Sequence, residues 1–184
     1  MNRVYSKETI ELLVKKLDGK LRNKVEIIAI GGTALSLRGE RLYSKDIDIC
    51  YLKCKSPIDF TQAVVDSSKE IGINPTDVEM FHGFEMTLLE MPRFGERAIP
   101  YDGLKLKNIT LKTMHPADMI LSKIYRSEPK DLSDSKKLLG DKRITITELN
   151  SRFVEVAKSQ KDIIIRREFI RKYEDFIGPY TAEK

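Results

Sequence analysis

The sequence predicts an α+β protein: a sheet-bearing first part followed by a helical second part. Strand-length segments at Val25–Ile30, Lys45–Leu52, Val78–Phe81 and Ile109–Lys112 alternate with helix-period segments up to about residue 113. From Pro116 onward the apolar period is helical. At 184 residues there is room for one sizeable domain with a helical appendage. The expected division is a core over residues 1–113 and a helical part over 114–184 packed on it, because the join near Met114 lacks linker composition.

Each element has a local reason. KETIELLVKKLDG (7–19) reads as an amphipathic helix, with Ser6 as N-cap and Gly19 as stop. Val25–Ile30 is a nearly continuous apolar run, as in a buried strand, and Gly31-Gly32 breaks it. Thr33–Arg38 then starts a helix, Lys45–Leu52 a strand, and Pro57–Ile71 a helix closed by Gly72. Val78–Phe81 and Phe84–Met91 read as a strand pair turning near Gly83. Pro116 suits a first helical position, Pro129 interrupts, and Asp131–Leu139 restarts before Gly140. Thr147–Ser159 and Asp162–Ile177 complete the helices.

Composition excludes some classes. Hydrophobic residues are 41% and charged residues 33%, which fits a heavily charged globular surface. No apolar run approaches the roughly 18 residues that span a bilayer, and MNRVYSKETI lacks the apolar core of a signal peptide. A cytoplasmic protein with no membrane partner is the expectation. Cys50 and Cys54, placed on one strand, would lie roughly 13 Å apart, too far to bridge. Neither these cysteines nor His82 and His115 have zinc-ligand spacing. The net charge of +5 gathers at Lys105–Lys112 and Lys158–Lys172, which permits a polyanionic partner without requiring one.

The stretch AIGGTALSLRGERLYSKDIDICYLK (29–53) carries the chemistry. Alternation along a strand puts Asp46, Asp48 and Cys50 on one face and Ile47, Ile49 and Tyr51 on the other. Two carboxylates so close repel each other unless a cation sits beside them. Mg²⁺ takes one or two carboxylates plus substrate phosphates, and Mn²⁺ can replace it. Gly31-Gly32 leaves a strand and precedes a helix, where backbone N–H groups can cradle a phosphate, and Thr33 adds a hydroxyl. A Gly-Gly turn alone is common, and an Asp-x-Asp alone is ordinarily polar surface. Their succession points to a nucleoside triphosphate (NTP) held on glycines with a metal on the acids.

Gly31-Gly32-Thr33, then Arg41, Ser44 and Asp46-Ile47-Asp48, resembles the signature of the polymerase-β-type nucleotidyltransferase superfamily. Within it the chain resembles the AbiEii-like toxin nucleotidyltransferases. The likeness extends to ADMILSKIYRSEPKDLSDSKKLL, through Lys123, Arg126, Lys130-Asp131 and Asp134, so that it spans residues 29–139. It implies a mixed sheet with flanking helices. It also implies transfer of a nucleotidyl group from an NTP to a hydroxyl, with Asp46 and Asp48 as catalytic metal ligands. Gly31, Gly32 and Thr33 would hold the triphosphate with Lys123 and Arg126, supported by Asp131 and Asp134. Relatives that modify RNA under control of an antitoxin imply an RNA acceptor and a cognate antitoxin partner.

Two points stay open at this level. Asp131 shares an arc with leucines and needs a cation, which Lys123 or Arg126 can supply; alternatively Asp131 caps its helix and Lys123 snorkels to water. The superfamily commonly has a third carboxylate on a later strand. In DVEMFHGFEMTLLEM we take it to be Glu85, although relatives more often have Asp near this point. Without such a carboxylate, the resemblance implies a nucleotide- or RNA-binding regulator that does no transfer. The basic C-terminal KSQKDIIIRREFIRKYEDFIG could meet RNA phosphate, but its helical spacing more simply describes a helix with a basic outer face.

Overall fold

A computed structural model describes residues 3–82, 89–141 and 143–181. Among them the chain forms eight α-helices, a five-stranded mixed sheet and a two-stranded sheet, an α+β architecture. Packing divides the chain into two units, Met1–Met86 with Gly95–Met114, and Thr87–Phe94 with His115–Lys184.

The first unit begins with a two-residue strand β1 (Tyr5–Ser6) and helix α1 (Lys7–Lys20). Ser6 caps α1 by accepting the Thr9 N–H, and Ile10, Leu13, Val14 and Leu17 form its buried stripe. Gly19 lies inside the helix instead of ending it. Asp18 closes the following turn: its carboxylate accepts N–H groups of Lys107, Asn108 and Ile109 at 2.7–2.9 Å.

Strand β2 (Val25–Ala29) is buried throughout. It lies between β4 (Ile47–Leu52), antiparallel, and β7 (Ile109–Thr113), parallel. Beyond β4 runs β5 (Val78–His82), parallel, and beyond β7 the short antiparallel β6 (Ile99–Pro100), giving the order β5-β4-β2-β7-β6. Helix α2 (Gly31–Leu37) follows β2, and β3 (Tyr43–Ser44) pairs with β1. Helix α3 (Pro57–Glu70), capped by Ser56, buries Phe60, Ala63 and Val64.

Glu26 is buried on β2 and accepts hydrogen bonds from Lys112 at 2.7 Å and Lys53 at 2.9 Å. Burial pushes its carboxyl up, but bonds and charge from the two lysines outweigh this and hold it below the ordinary range.

Three expectations change. The strand expected from Lys45 begins at Ile47, because Ser44 is held by β1 and residues 45 and 46 form the bend that leaves it. Cys54 therefore lies past the end of β4, beyond Lys53 in a left-handed turn (φ 53°), and neither cysteine is in a disulfide. Most of the strand expected at Phe84–Met91 falls outside the described residues, and Leu89–Met91 form no strand. The Glu90 backbone bonds instead to Gln160, N–H to Oε1 at 3.0 Å and C=O from Nε2 at 2.8 Å.

A one-turn helix α4 (Phe94–Arg97) precedes β6. The second unit holds α5 (Pro116–Arg126), α6 (Pro129–Gly140), α7 (Ile146–Ser159) and α8 (Ile163–Thr181). His115 caps α5, its Nδ1 accepting the Ala117 N–H at 3.2 Å. Pro129 is the first residue of α6, so the restart comes two residues earlier than expected. Phe169, Tyr173, Phe176 and Ile177 bury one face of α8, and Phe153 of α7 stacks on Tyr173 at 3.8 Å. Ile164, near the start of the same helix, is 73% exposed. The largest fully buried side chain is that of Arg152, which donates from Nε to Asp118, itself fully buried, at 2.5 Å.

Candidate functional site

The two glycines do not precede α2 as expected but form its first two residues, and they meet the acidic strand at one end of the central sheet. Ile30 donates its N–H to the Asp48 carbonyl at 3.1 Å, so the chain enters the turn tied to β4. Gly31 then takes φ +51°, a conformation that favours glycine. A Cβ on Gly31 would stand 3.1 Å from Asp48 Oδ2, so the carboxylate rests against the bare backbone of the turn. A Cβ on Gly32 would stand 2.5 Å from Ser44 Oγ and 3.3 Å from an Arg41 guanidinium nitrogen. Each glycine therefore makes room for a different polar group.

Thr33 joins the two halves. It is fully buried, and its hydroxyl donates to the Asp46 carbonyl at 3.2 Å while accepting the Asp48 N–H at 2.8 Å. A side chain one residue beyond the glycines thus sets the height of both acidic residues. Asp46 is exposed and Asp48 half-buried. Because β4 starts at Ile47, strand alternation governs Asp48 and leaves Asp46 to the bend.

The second set of residues forms its own cluster on α5 and α6. The Lys123 ammonium, on a side chain 5% exposed, donates to Asp131 at 2.7 Å and Asp134 at 2.8 Å. Arg126 donates from Nη2 to Asp131 Oδ1 at 3.0 Å and its Nε stands in ion-pair range of Oδ2 at 3.0 Å, while its side chain stays 56% exposed. Ser127, at φ 58°, ends α5 and lets the chain reverse so that the acids face the lysine. Asp131 lies in the first turn of α6, whose N-cap is Glu128, so it does not cap the helix; nor does Lys123 snorkel to water.

The structure therefore brings together Gly31, Gly32, Thr33, Asp46 and Asp48 in the first unit, and Lys123, Arg126, Asp131 and Asp134 in the second. Glu85 lies outside the described residues. Among the described residues no group of three His, Cys, Asp or Glu side chains could hold a metal.

Sequence reasoning gave Arg41 and Ser44 no role of their own, yet both lie against Gly32. Their signal was weak, since Ser44 is placed by a two-residue strand pair too short to leave any periodicity. The Asp118–Arg152 pair was also missed, because each residue reads as ordinary helix surface until the helices are packed.

No helix among the described residues is long and apolar enough to cross a membrane. No curated protein and no solved structure matches the chain. Residues 8–180, which take in both the glycine–aspartate set and the lysine–aspartate cluster, match the model of one family. The chain belongs to that family, DUF6036, nucleotidyltransferases of unknown function.

Proposed function

We propose that the protein moves a nucleotidyl group from an NTP to a hydroxyl acceptor in a reaction that depends on Mg²⁺ or Mn²⁺. The observation that carries this reading is the carboxylate of Asp48 seated against Gly31, with Thr33 bonded to the backbone of both Asp46 and Asp48. The donor set fits such a metal. Two acidic residues one apart suit a cation that completes its shell with substrate phosphate and water, not one enclosed by protein alone. Asp46 and Asp48 would hold it, and when bound it would offset phosphate charge and acidify the attacking hydroxyl.

The chain's own groups do the remaining work. Gly31 leaves room for the Asp48 carboxylate, and Gly32 for Ser44 and Arg41, so an acidic ligand and a cation sit against one short stretch of backbone. Arg41 beside Gly32 supplies positive charge. The acceptor oxygen forms a bond to the α-phosphorus, the bond to the β-phosphate oxygen breaks, and pyrophosphate leaves. Glu85 is our candidate for the base that takes the hydroxyl proton. Lys123 holds Asp131 and Asp134 together, and Arg126, the exposed cation of that cluster, is the candidate for a phosphate contact. The acceptor we favour is an RNA hydroxyl, in keeping with the net charge of +5. Kinship to the AbiEii-like toxins and an antitoxin partner rest on the motif likeness over residues 29–139.

The test is incubation with each α-labelled NTP, cellular RNA and Mg²⁺ or Mn²⁺. Label entering RNA with wild type but not with Asp48→Asn supports the proposal. Metal-independent NTP binding with no label in any acceptor would replace it with the regulator reading.

A further inference from the structure

A pocket lies at the end of β2 away from the glycines. Its volume is about 360 Å³, within the range of small-molecule sites. It opens between the end of α1, the start of β2 and the turn that leads into α3. Gly31 lies six residues along the chain from Val25, which lines the pocket, so the glycine turn is roughly 20 Å away at strand rise.

Four cations line it, Lys20, Arg22, Lys24 and Lys55, against one acid, Asp59. Lys20 is paired with Glu70 at 3.0 Å. Among the described residues Arg22, Lys24 and Lys55 make no ion pair and are exposed, so three unpaired positive charges line a concavity that holds one acid. The first turn of α3 adds the positive end of a 14-residue helix, which Asp59 offsets in part. Leu21, half-buried, with the buried Val25 and Phe60 beneath it, gives the concavity an apolar floor.

A rim of free cations over an apolar floor suits a ligand with a charged end and a flat apolar body. Phosphate alone would leave most of this volume empty. We propose that the pocket binds a phosphate-bearing nucleotide, either free or as one unit of a polynucleotide strand. The phosphate meets Arg22, Lys24 and Lys55, and the base lies towards Phe60. This site is separate from the glycine–aspartate set and does not depend on its chemistry.

The test uses the full chain and two probes, adenosine monophosphate and a short fluorescein-labelled single-stranded RNA of mixed sequence. In the triple variant Arg22→Gln/Lys24→Gln/Lys55→Gln, affinity should fall at least about tenfold. The salt slope for RNA should shrink by about 2, from roughly 0.7 per lost phosphate contact. A control triple variant at exposed lysines outside the pocket, Lys15→Gln/Lys69→Gln/Lys136→Gln, should keep wild-type affinity. Loss with both probes identifies the free nucleotide as sufficient, and loss with RNA alone identifies the strand.

Cys54 provides a readout that needs no substitution in the rim. It lines the pocket and is half-buried, whereas Cys50 is buried, so a thiol reagent should report on Cys54. A saturating probe should slow that reaction severalfold. Unchanged affinity in the rim variant, equal loss in the control variant, or a bound probe that leaves the Cys54 rate unaltered would overturn the proposal.

Discussion

Replacing Thr33 by valine tests how the acidic pair is positioned. The two side chains have nearly the same shape, so packing is kept while the hydroxyl bonds to the Asp46 carbonyl and the Asp48 N–H are lost. A net contribution of about 0.5–1.5 kcal/mol per bond gives a loss of roughly 1–3 kcal/mol in folding stability. Thr33→Ser keeps the hydroxyl and deletes one methyl, at a cost of about 0.8 kcal/mol. Stability alone separates the two weakly, so the decisive assay is calorimetric binding of triphosphate with Mg²⁺. If Thr33 positions Asp48, about 1.4 kcal/mol of lost placement weakens binding tenfold in the valine variant. The serine variant stays within about twofold of wild type. Valine binding as tightly as serine, in a folded protein, would refute the idea that this hydroxyl places the acids.

Gly31→Ala should destabilise by about 1 kcal/mol from backbone strain alone, and further because its Cβ meets Asp48 Oδ2. Gly39→Ala, at φ +72° with open space around it, isolates the strain, so urea unfolding of the two gives the contact by difference. Asp118→Asn removes one of the two carboxylates paired with the buried Arg152, Glu155 at 2.8 Å being the other, and should cost roughly 1.5–3 kcal/mol, whereas Asp118→Leu/Arg152→Met together should recover most of it. The carboxyl of Glu26 titrates lower when folded, so its stabilisation is present above the unfolded value of 4.5 and disappears as pH falls through the folded one. Glu26→Gln should therefore lower Tm at pH 7, and the difference should vanish in acid; a constant difference from pH 7 to pH 3 would contradict the ion-pair origin.

Legibility in the sequence followed the length and regularity of each signal. Helices α1, α3, α5 and α7 were readable because apolar positions recur several times within each, and α1 also through its Ser6 cap. The buried strand β2 showed itself as a run of apolar residues, broken by Gly31-Gly32. Asp48 was legible as a strand residue. Asp46 was not, because β1–β3 pairing displaces the start of β4 by two residues and that pairing has no periodic trace. The role of Thr33 was hidden for another reason: a hydroxyl beside glycines suggests a ligand, and only packing reveals that the backbone of residues 46 and 48 already uses it. Lys123 and Arg126 stood as alternative partners for Asp131, and sequence spacing could not say that both would pair with it or that Lys123 would also hold Asp134.

The second unit includes residues from two separate stretches of chain, and this governs how the protein can be dissected. A clone stopped at Met114 would retain Glu90 yet lack Ser159 and Gln160, whose side chains bond its backbone. The converse clone, starting at His115, would leave the Gln160 amide short of its Glu90 acceptor. Neither half is obtained intact by a single cut, so an autonomous first unit calls for excision of the intervening loop as well as a new terminus.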